Sequence, residues 1–225
     1  MCARYTLTTS AEQLARQFWL SQHPLIEPRY NIAPTQSVAV VVADREARTD
    51  CRMMRWGLIP SWAKDMAFGS RTINARSETV TTRPAYRAAI RSRRCLIPAD
   101  GYYEWTGTGR TKQPFRITMV DGGLFAFAGL WERWRGDEEK EIESCTVLTT
   151  EPNVSMARIH NRMPVILPPD AYRLWMDPTV TDPTQVLPLL RAYPDDRMTA
   201  YPVGLVVNNP RNEKRACIER TDVAG

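Results

Sequence analysis

From residue 95 onward the chain is a succession of short apolar segments separated by turn residues, and this punctuation limits its fold more than any other feature. Residues 95–98, 101–105, 114–120, 124–131, 145–149 and 164–167 read as strands, with Gly107, Gly109, Asp121-Gly122-Gly123 and Arg135-Gly136 between them. Turn spacing this dense argues for mainly antiparallel pairing in a closed or strongly curved sheet. Before it, Ser10 and Gln13 form a capping box, and Leu14 with Phe18 puts an apolar stripe on a helix running to about residue 20, beside the N-terminus. Residues 23–34 read as a proline-bounded loop, 38–43 as a strand with 52–58 as its partner, 72–79 as a polar stretch without a period, and 84–93 as a helix. One helix is expected to open at Asp170 and another at Asp182, with Pro183 at its first position; 198–207 reads as a last strand. With no repeat, linker or break in composition, the expectation is one α+β domain over 1–225. It is a mainly antiparallel, curved or barrel-like sheet with flanking short helices, and about 210–225 form a C-terminal tail.

Composition sets the class. The 225 residues are 43% hydrophobic and 24% charged, which disfavours both a disordered and a membrane protein. There is no run of about 18 apolar residues, and Arg4, Glu12 and Arg16 interrupt any signal-peptide core, so a cytoplasmic protein without membrane contact is expected. The five cysteines are widely spaced without a CxxC, and there are two histidines; neither a disulfide framework, a metal site nor a cofactor is implied. The net charge is +5, with Arg83, Arg87, Arg91, Arg93 and Arg94 crowded in one segment and Asp137, Glu138, Glu139, Glu141 and Glu143 in another. Such a lopsided field fits a polyanion surface and fits a solvated helix face equally well.

Several residues can carry chemistry. If Met1 is removed, Cys2 presents a free α-amine and a thiol on adjacent carbons. The amine condenses with an aldehyde to a Schiff base, and the thiolate closes a five-membered thiazolidine ring without a further encounter. An α-amine titrates near 7.7 to 8, so no desolvated lysine is required; the alternative is an inert small residue at a frayed terminus. In Asp100-Gly101-Tyr102-Tyr103-Glu104-Trp105, strand alternation sends Tyr102 and Glu104 to one face and Tyr103 and Trp105 to the other. Glu104 among rings is desolvated and suits acid-base work, unless it lies on a solvent face. His160 falls in a polar turn before an apolar strand, where a lone histidine is commonly structural. Asn74 and Arg76 read equally as loop or capping groups, and Trp62 as core or as a stacking platform for an unpaired base.

The order of these segments is more specific than any one of them. Met1-Cys2-Ala3-Arg4-Tyr5, Tyr30-Asn31-Ile32-Ala33-Pro34, Trp56-Gly57-Leu58-Ile59-Pro60, Ile73-Asn74-Ala75-Arg76-Ser77-Glu78-Thr79, the Asp100–Trp105 segment, Lys112-Gln113-Pro114-Phe115, Ala128-Gly129-Leu130-Trp131, Ile159-His160-Asn161-Arg162-Met163-Pro164 and Val207-Asn208-Asn209 occur in one chain. Together they resemble the SRAP family, the SOS-response-associated peptidase domain. Ala3 departs from the family's usual glycine. The resemblance implies a monomer that senses abasic sites in single-stranded DNA, associates with the nucleoid on damage and cross-links to the lesion through Cys2. Lyase activity and exposure of Cys2 by trimming or self-cleavage are implied with it. It further implies that Asn74 positions the amine or opened sugar, Glu104 shuttles protons and His160 protonates or steadies the sugar oxygen. Arg4 and Arg76 then hold flanking phosphates, with Arg83 and Arg87 in the basic segment, and Trp62 stacks where the strand bends. The competing readings are a cysteine peptidase acting in trans, with Cys2 as nucleophile and His160 as base, and a module that grips DNA non-covalently.

Overall fold

The computed structural model describes residues 2–107, 112–136 and 141–222; Gly109, Asp137, Glu138 and Glu139 lie outside them. The described strands are β1 (Tyr5–Leu7), β2 (Arg29–Ile32), β3 (Ser37–Ala43), β4 (Thr49–Trp56), β5 (Asn74–Arg76), β6 (Arg94–Ala99), β7 (Gly101–Thr106), β8 (Gln113–Met119), β9 (Phe125–Arg135), β10 (Glu141–Thr150), β11 (Met163–Pro164), β12 (Ile166–Leu167) and β13 (Met198–Pro202). Three short helices, α1 (Ala11–Gln17), α2 (Ala89–Ser92) and α3 (Tyr172–Met176), and several 3-10 turns flank them.

Strands β3, β4, β10, β9 and β6 pair in a ring, β4 lying parallel to β10 and the other neighbours antiparallel, so the larger sheet closes on itself. Strands β13, β8, β7, β1 and β2 form a second, antiparallel sheet. The expected α+β class and curved, barrel-like sheet are therefore found, and closure leaves the ring without a bare edge.

Asp100 joins the two sheets. The chain leaves the barrel with β6 and enters the second sheet with β7 one residue later, and Asp100 ties that crossing to the N-terminal strand. Its carboxylate accepts from the half-buried Thr8 Oγ1 (2.8 Å) and Thr9 N (3.0 Å) and pairs with the buried Arg116 Nη2 (3.1 Å). Gly101 makes this geometry possible, because a Cβ there would stand 2.7 Å from Arg116 Nε. The same economy recurs at Gly57, whose φ is +126° and whose added Cβ would meet the Gly69 carbonyl oxygen at 2.4 Å. That close approach, with Thr72 Oγ1 donating to Leu58 O (2.6 Å), pinches residues 58–72 into a loop that opens directly onto β5.

The core beneath the N-terminus is aromatic. Tyr5 meets Trp56 edge-on at 5.3 Å and Phe127 at 5.8 Å, and all three are buried. Tyr102 faces this core while Tyr103 packs with Val203, Val207 and Cys217 on the other side, as alternation along β7 requires.

Five expectations give way. The helix expected over 84–93 contracts to α2, preceded by turns in which Tyr86 N and Arg87 N both bond Arg83 O (3.0 and 2.9 Å), while the Tyr86 side chain turns inward. Residues 29–32 and 74–76 are strands, since backbone pairing to β1 and to β10 needs no side-chain period. The last strand stops at Pro202, and a 3-10 turn, Leu205–Asn208, follows. Among the described residues, 210–222 are no tail: Glu213 accepts from Asn31 N (2.8 Å), Tyr30 N and Arg29 Nε (2.8 Å), and Cys217 is fully buried. Among the described residues no helix is long and apolar enough to cross a membrane.

Candidate functional site

The residues expected to act with Cys2 arrive from both sheets. Asn74 opens β5, where it is held between the Val147 position of β10 and the Tyr86 hydroxyl, which donates to its carbonyl (3.2 Å). So fixed, its Nδ2 donates to the Cys2 carbonyl at 2.8 Å. Its Oδ1 is buried and has no hydrogen-bond partner among the described residues. An unmatched buried acceptor costs about 1–3 kcal/mol, so a group that supplied a proton there would be bound with advantage.

Glu104 is 5% exposed, which removes the solvent-face alternative. It lies opposite Phe115 of β8, and burial pushes its carboxyl up to about 7. The Cys2 thiol is wholly buried, with Sγ 3.9 Å from the Arg4 carbonyl. Burial, reinforced by the nearby Glu104 charge, holds its pKa far above the ordinary thiol range. The thiolate expected from the sequence is thus replaced by a neutral thiol beside a carboxylate that titrates near neutrality. The buried Tyr102 phenol is coupled to the same groups: burial raises its pKa, and Cys2 and Glu104 add to the rise. The sequence placed Tyr102 on the Glu104 face without assigning it to the site.

His160 follows the 3-10 turn Met156–Arg158 and is half-buried, its amide bonded to Met156 O (2.9 Å). Burial lowers its pKa, so the ring is neutral at pH 7, and Lys112 beside the β7–β8 connection contributes in the same direction. The ring is gripped by Arg162, whose N–H lies 3.0 Å from Nδ1. Arg162 in turn makes two bonds to Glu78 (2.6 and 2.9 Å) and one to Thr149 O (2.7 Å). Glu78 and Arg162 sit inside motifs quoted above, yet nothing in the sequence pairs residues so far apart.

The basic residues divide. Arg76, Arg83 and Arg87 are exposed. Arg83 and Arg87 flank Tyr86, the residue pinned to Asn74, so they border the same segment. Arg4 is half-buried, its Nη1 committed to Asn31 Oδ1 and Val207 O (2.7 Å each), so much of its donor capacity serves the fold. The arginine cluster is also partly structural. Arg94 is buried, bonding the Trp175, Asp177, Ile90 and Arg91 carbonyls, and Arg93 pairs with Glu132 at 2.7 Å. Trp62 is 56% exposed and stands edge-on to Phe68 (5.2 Å), with the Arg71 guanidinium over the Phe68 ring, so it lies on the surface and not in the core.

The chain is 42% identical over 223 residues to abasic site processing protein YoqW of Bacillus subtilis (strain 168), covering 97% of this chain and 99% of that protein. It is 33% identical over 222 residues to abasic site processing protein HMCES of Xenopus tropicalis, covering 85% of this chain and 66% of the relative. A crystal structure of a Bordetella bronchiseptica protein superposes with a TM-score of 0.80 at 30% identity, over 91% of this chain and all of that one. One from Bacteroides thetaiotaomicron reaches 0.88 at 24% identity over 98% of this chain and all of that one, and shares the fold. Residues 1–210 match the family described as SOS response associated peptidase (SRAP), to which this chain belongs.

Proposed function

We propose that this protein processes abasic sites in single-stranded DNA, capturing the lesion covalently through Cys2 once Met1 is removed. The observation that carries the reading is the approach of Asn74 to the Cys2 carbonyl, with the buried Glu104 near enough for its charge to act on the Cys2 thiol. The names of the relatives at 42% and 33% identity point the same way.

The chemistry balances without an outside reagent. The terminal amine adds to the sugar aldehyde, the C–N bond forms and one water leaves, giving a Schiff base. The thiol sulfur then adds to the imine carbon, and its proton passes to the ring nitrogen, so the product is a thiazolidine plus one water. Removal of Met1 makes residue 2 the chain end and frees the amine that this sequence of steps needs. Asn74 Oδ1 accepts an N–H of that amine and orients it. Glu104, poised near 7, relays the thiol proton, which matters because burial keeps the thiol from ionising by itself. His160 steadies the sugar oxygen as the ring opens. Arg76, Arg83 and Arg87 hold flanking phosphates, Arg4 braces the segment between Cys2 and β1, and Trp62 stacks on an unpaired base. The protein acts as a monomer, and lyase activity and removal of Met1 by self-cleavage belong to the same reading.

The trimmed protein is incubated with single-stranded oligonucleotides that hold either an abasic site or an intact base, then run on a denaturing gel and weighed intact. The expected result is an adduct with the abasic strand alone, lighter than the summed masses by one water. Binding that never survives denaturant would move the assignment to a non-covalent module. Cleavage of unrelated peptides that His160→Ala stops would move it to a peptidase acting in trans.

The pH profile tests the proton relay. Below about 7 Glu104 is protonated and accepts nothing; above it the carboxylate is available, so the cross-linking rate rises through that window. Glu104→Gln is expected to remove the part of the rise centred near 7, leaving the later rise as the α-amine loses its proton near 7.7 to 8, and to slow cross-linking about a hundredfold, with DNA affinity nearly unchanged. A large loss of affinity at an unchanged rate would contradict the role.

A further inference from the structure

We propose that Glu78 and Arg162 form a positioning pair that fixes neutral His160 with its proton on Nε2, making the ring a hydrogen-bond donor toward the site and not a base. The inference rests on the proposed function only for its consequence. The geometry stands alone.

His160 Nδ1 lies 3.0 Å from the Arg162 amide nitrogen and 3.2 Å from the Arg162 carbonyl oxygen. Only one of these contacts can be a hydrogen bond in a neutral ring. A proton on Nδ1 would bond the carbonyl but would face the amide N–H at 3.0 Å, two donors against each other and a main-chain N–H left unsatisfied. With Nδ1 bare, the amide donates to it and the proton sits on Nε2.

That choice depends on where the Arg162 backbone is held, and residue 162 lies in irregular backbone just ahead of β11. Its side chain supplies the anchor. Both Glu78 oxygens accept from the guanidinium, and Thr149 O on β10 accepts from the same Nη2 (2.7 Å). Since β10 also carries β5 through Thr149 opposite Arg76, the anchor ties His160 to the strand that begins with Asn74. Arg162 is 12% exposed at its side chain while Glu78 is 45% exposed, so Glu78 can be changed with little disturbance of packing.

The assignment reads out in nitrogen-15 spectra of the imidazoles of the intact protein at pH 7.5. The chain has two histidines, so a His23→Gln variant leaves the His160 signals by themselves. Expected are a pyridine-type Nδ1 and a pyrrole-type Nε2; a pyrrole-type Nδ1 overturns the proposal. In Glu78→Ala the two nitrogens are expected to move toward the averaged shifts of exchanging tautomers, and Glu78→Asp to restore them in part. Unmoved shifts in Glu78→Ala overturn the part assigned to the pair. Cross-linking by Glu78→Ala should slow on the order of tenfold without loss of folding or DNA affinity. Should the wild type form no cross-link, the proposed function fails while the spectra still decide the tautomer.

Discussion

Cys2→Ala, with Met1 removed, is expected to lose the denaturant-resistant adduct by at least about a hundredfold and to keep its affinity for the abasic strand. The variant still ends in an α-amine, so its Schiff base forms and can be trapped by borohydride. What it lacks is the sulfur that closes the ring and holds the product against hydrolysis. A chain that retains Met1 keeps the sulfur but lacks the amine at residue 2, because that nitrogen is an amide, and borohydride should trap nothing through that position. The pair of results separates the amine's work from the thiol's. Loss of the side chain from a fully buried site leaves a small cavity worth about 1 kcal/mol, too little to unfold the domain. A stable adduct from Cys2→Ala at the wild-type rate would end the proposal. Intact mass of the purified chain decides beforehand whether Met1 is present.

Asp100→Ala is expected to destabilise the fold by about 3–5 kcal/mol, since it strands the Arg116 guanidinium in the interior without its partner. For a chain of this size that corresponds to a fall in Tm of about 6–20 °C, measurable by thermal unfolding. The Asp100 carboxylate also gathers Thr6, Thr8 and Thr9, so the change frees the strand that leads back to Cys2. Cross-linking should therefore fall even at temperatures where the variant is folded. Replacing both partners, Asp100→Ala with Arg116→Met, should recover part of the stability by removing the stranded charge. A Tm within about 2 °C of wild type for the single variant would show that the ion pair contributes little.

The division between these two predictions follows what each residue's surroundings disclose in one dimension. Cys2 declares its chemistry wherever it lies, because an aminothiol is made of two groups on one residue. The β7 alternation was equally local: Tyr102 and Glu104 share a face because successive side chains point oppositely, and burial then followed from the rings around them. Arg93 and Arg94 were not local. They read as surface charge beside Arg83 and Arg87, and the distant Trp175 and Asp177 carbonyls and the Glu132 carboxylate, brought in by the fold, made them structural.

From the sequence alone came the turn-dense α+β sheet, the side-chain chemistry of Cys2, Asn74, Glu104 and His160, and their order in the chain. Strand period, turn residues and functional groups are properties of neighbours, so they can be read along the chain. The tertiary structure decided that the sheet closes into a ring and that the C-terminal segment packs against β2. It also decided that Glu104 titrates near 7 beside a neutral thiol, and that Glu78 reaches Arg162 across 84 positions. Burial and long-range pairing depend on what the fold brings from elsewhere, and desolvation, which sets both the carboxyl and the thiol, exists only once those partners have excluded water.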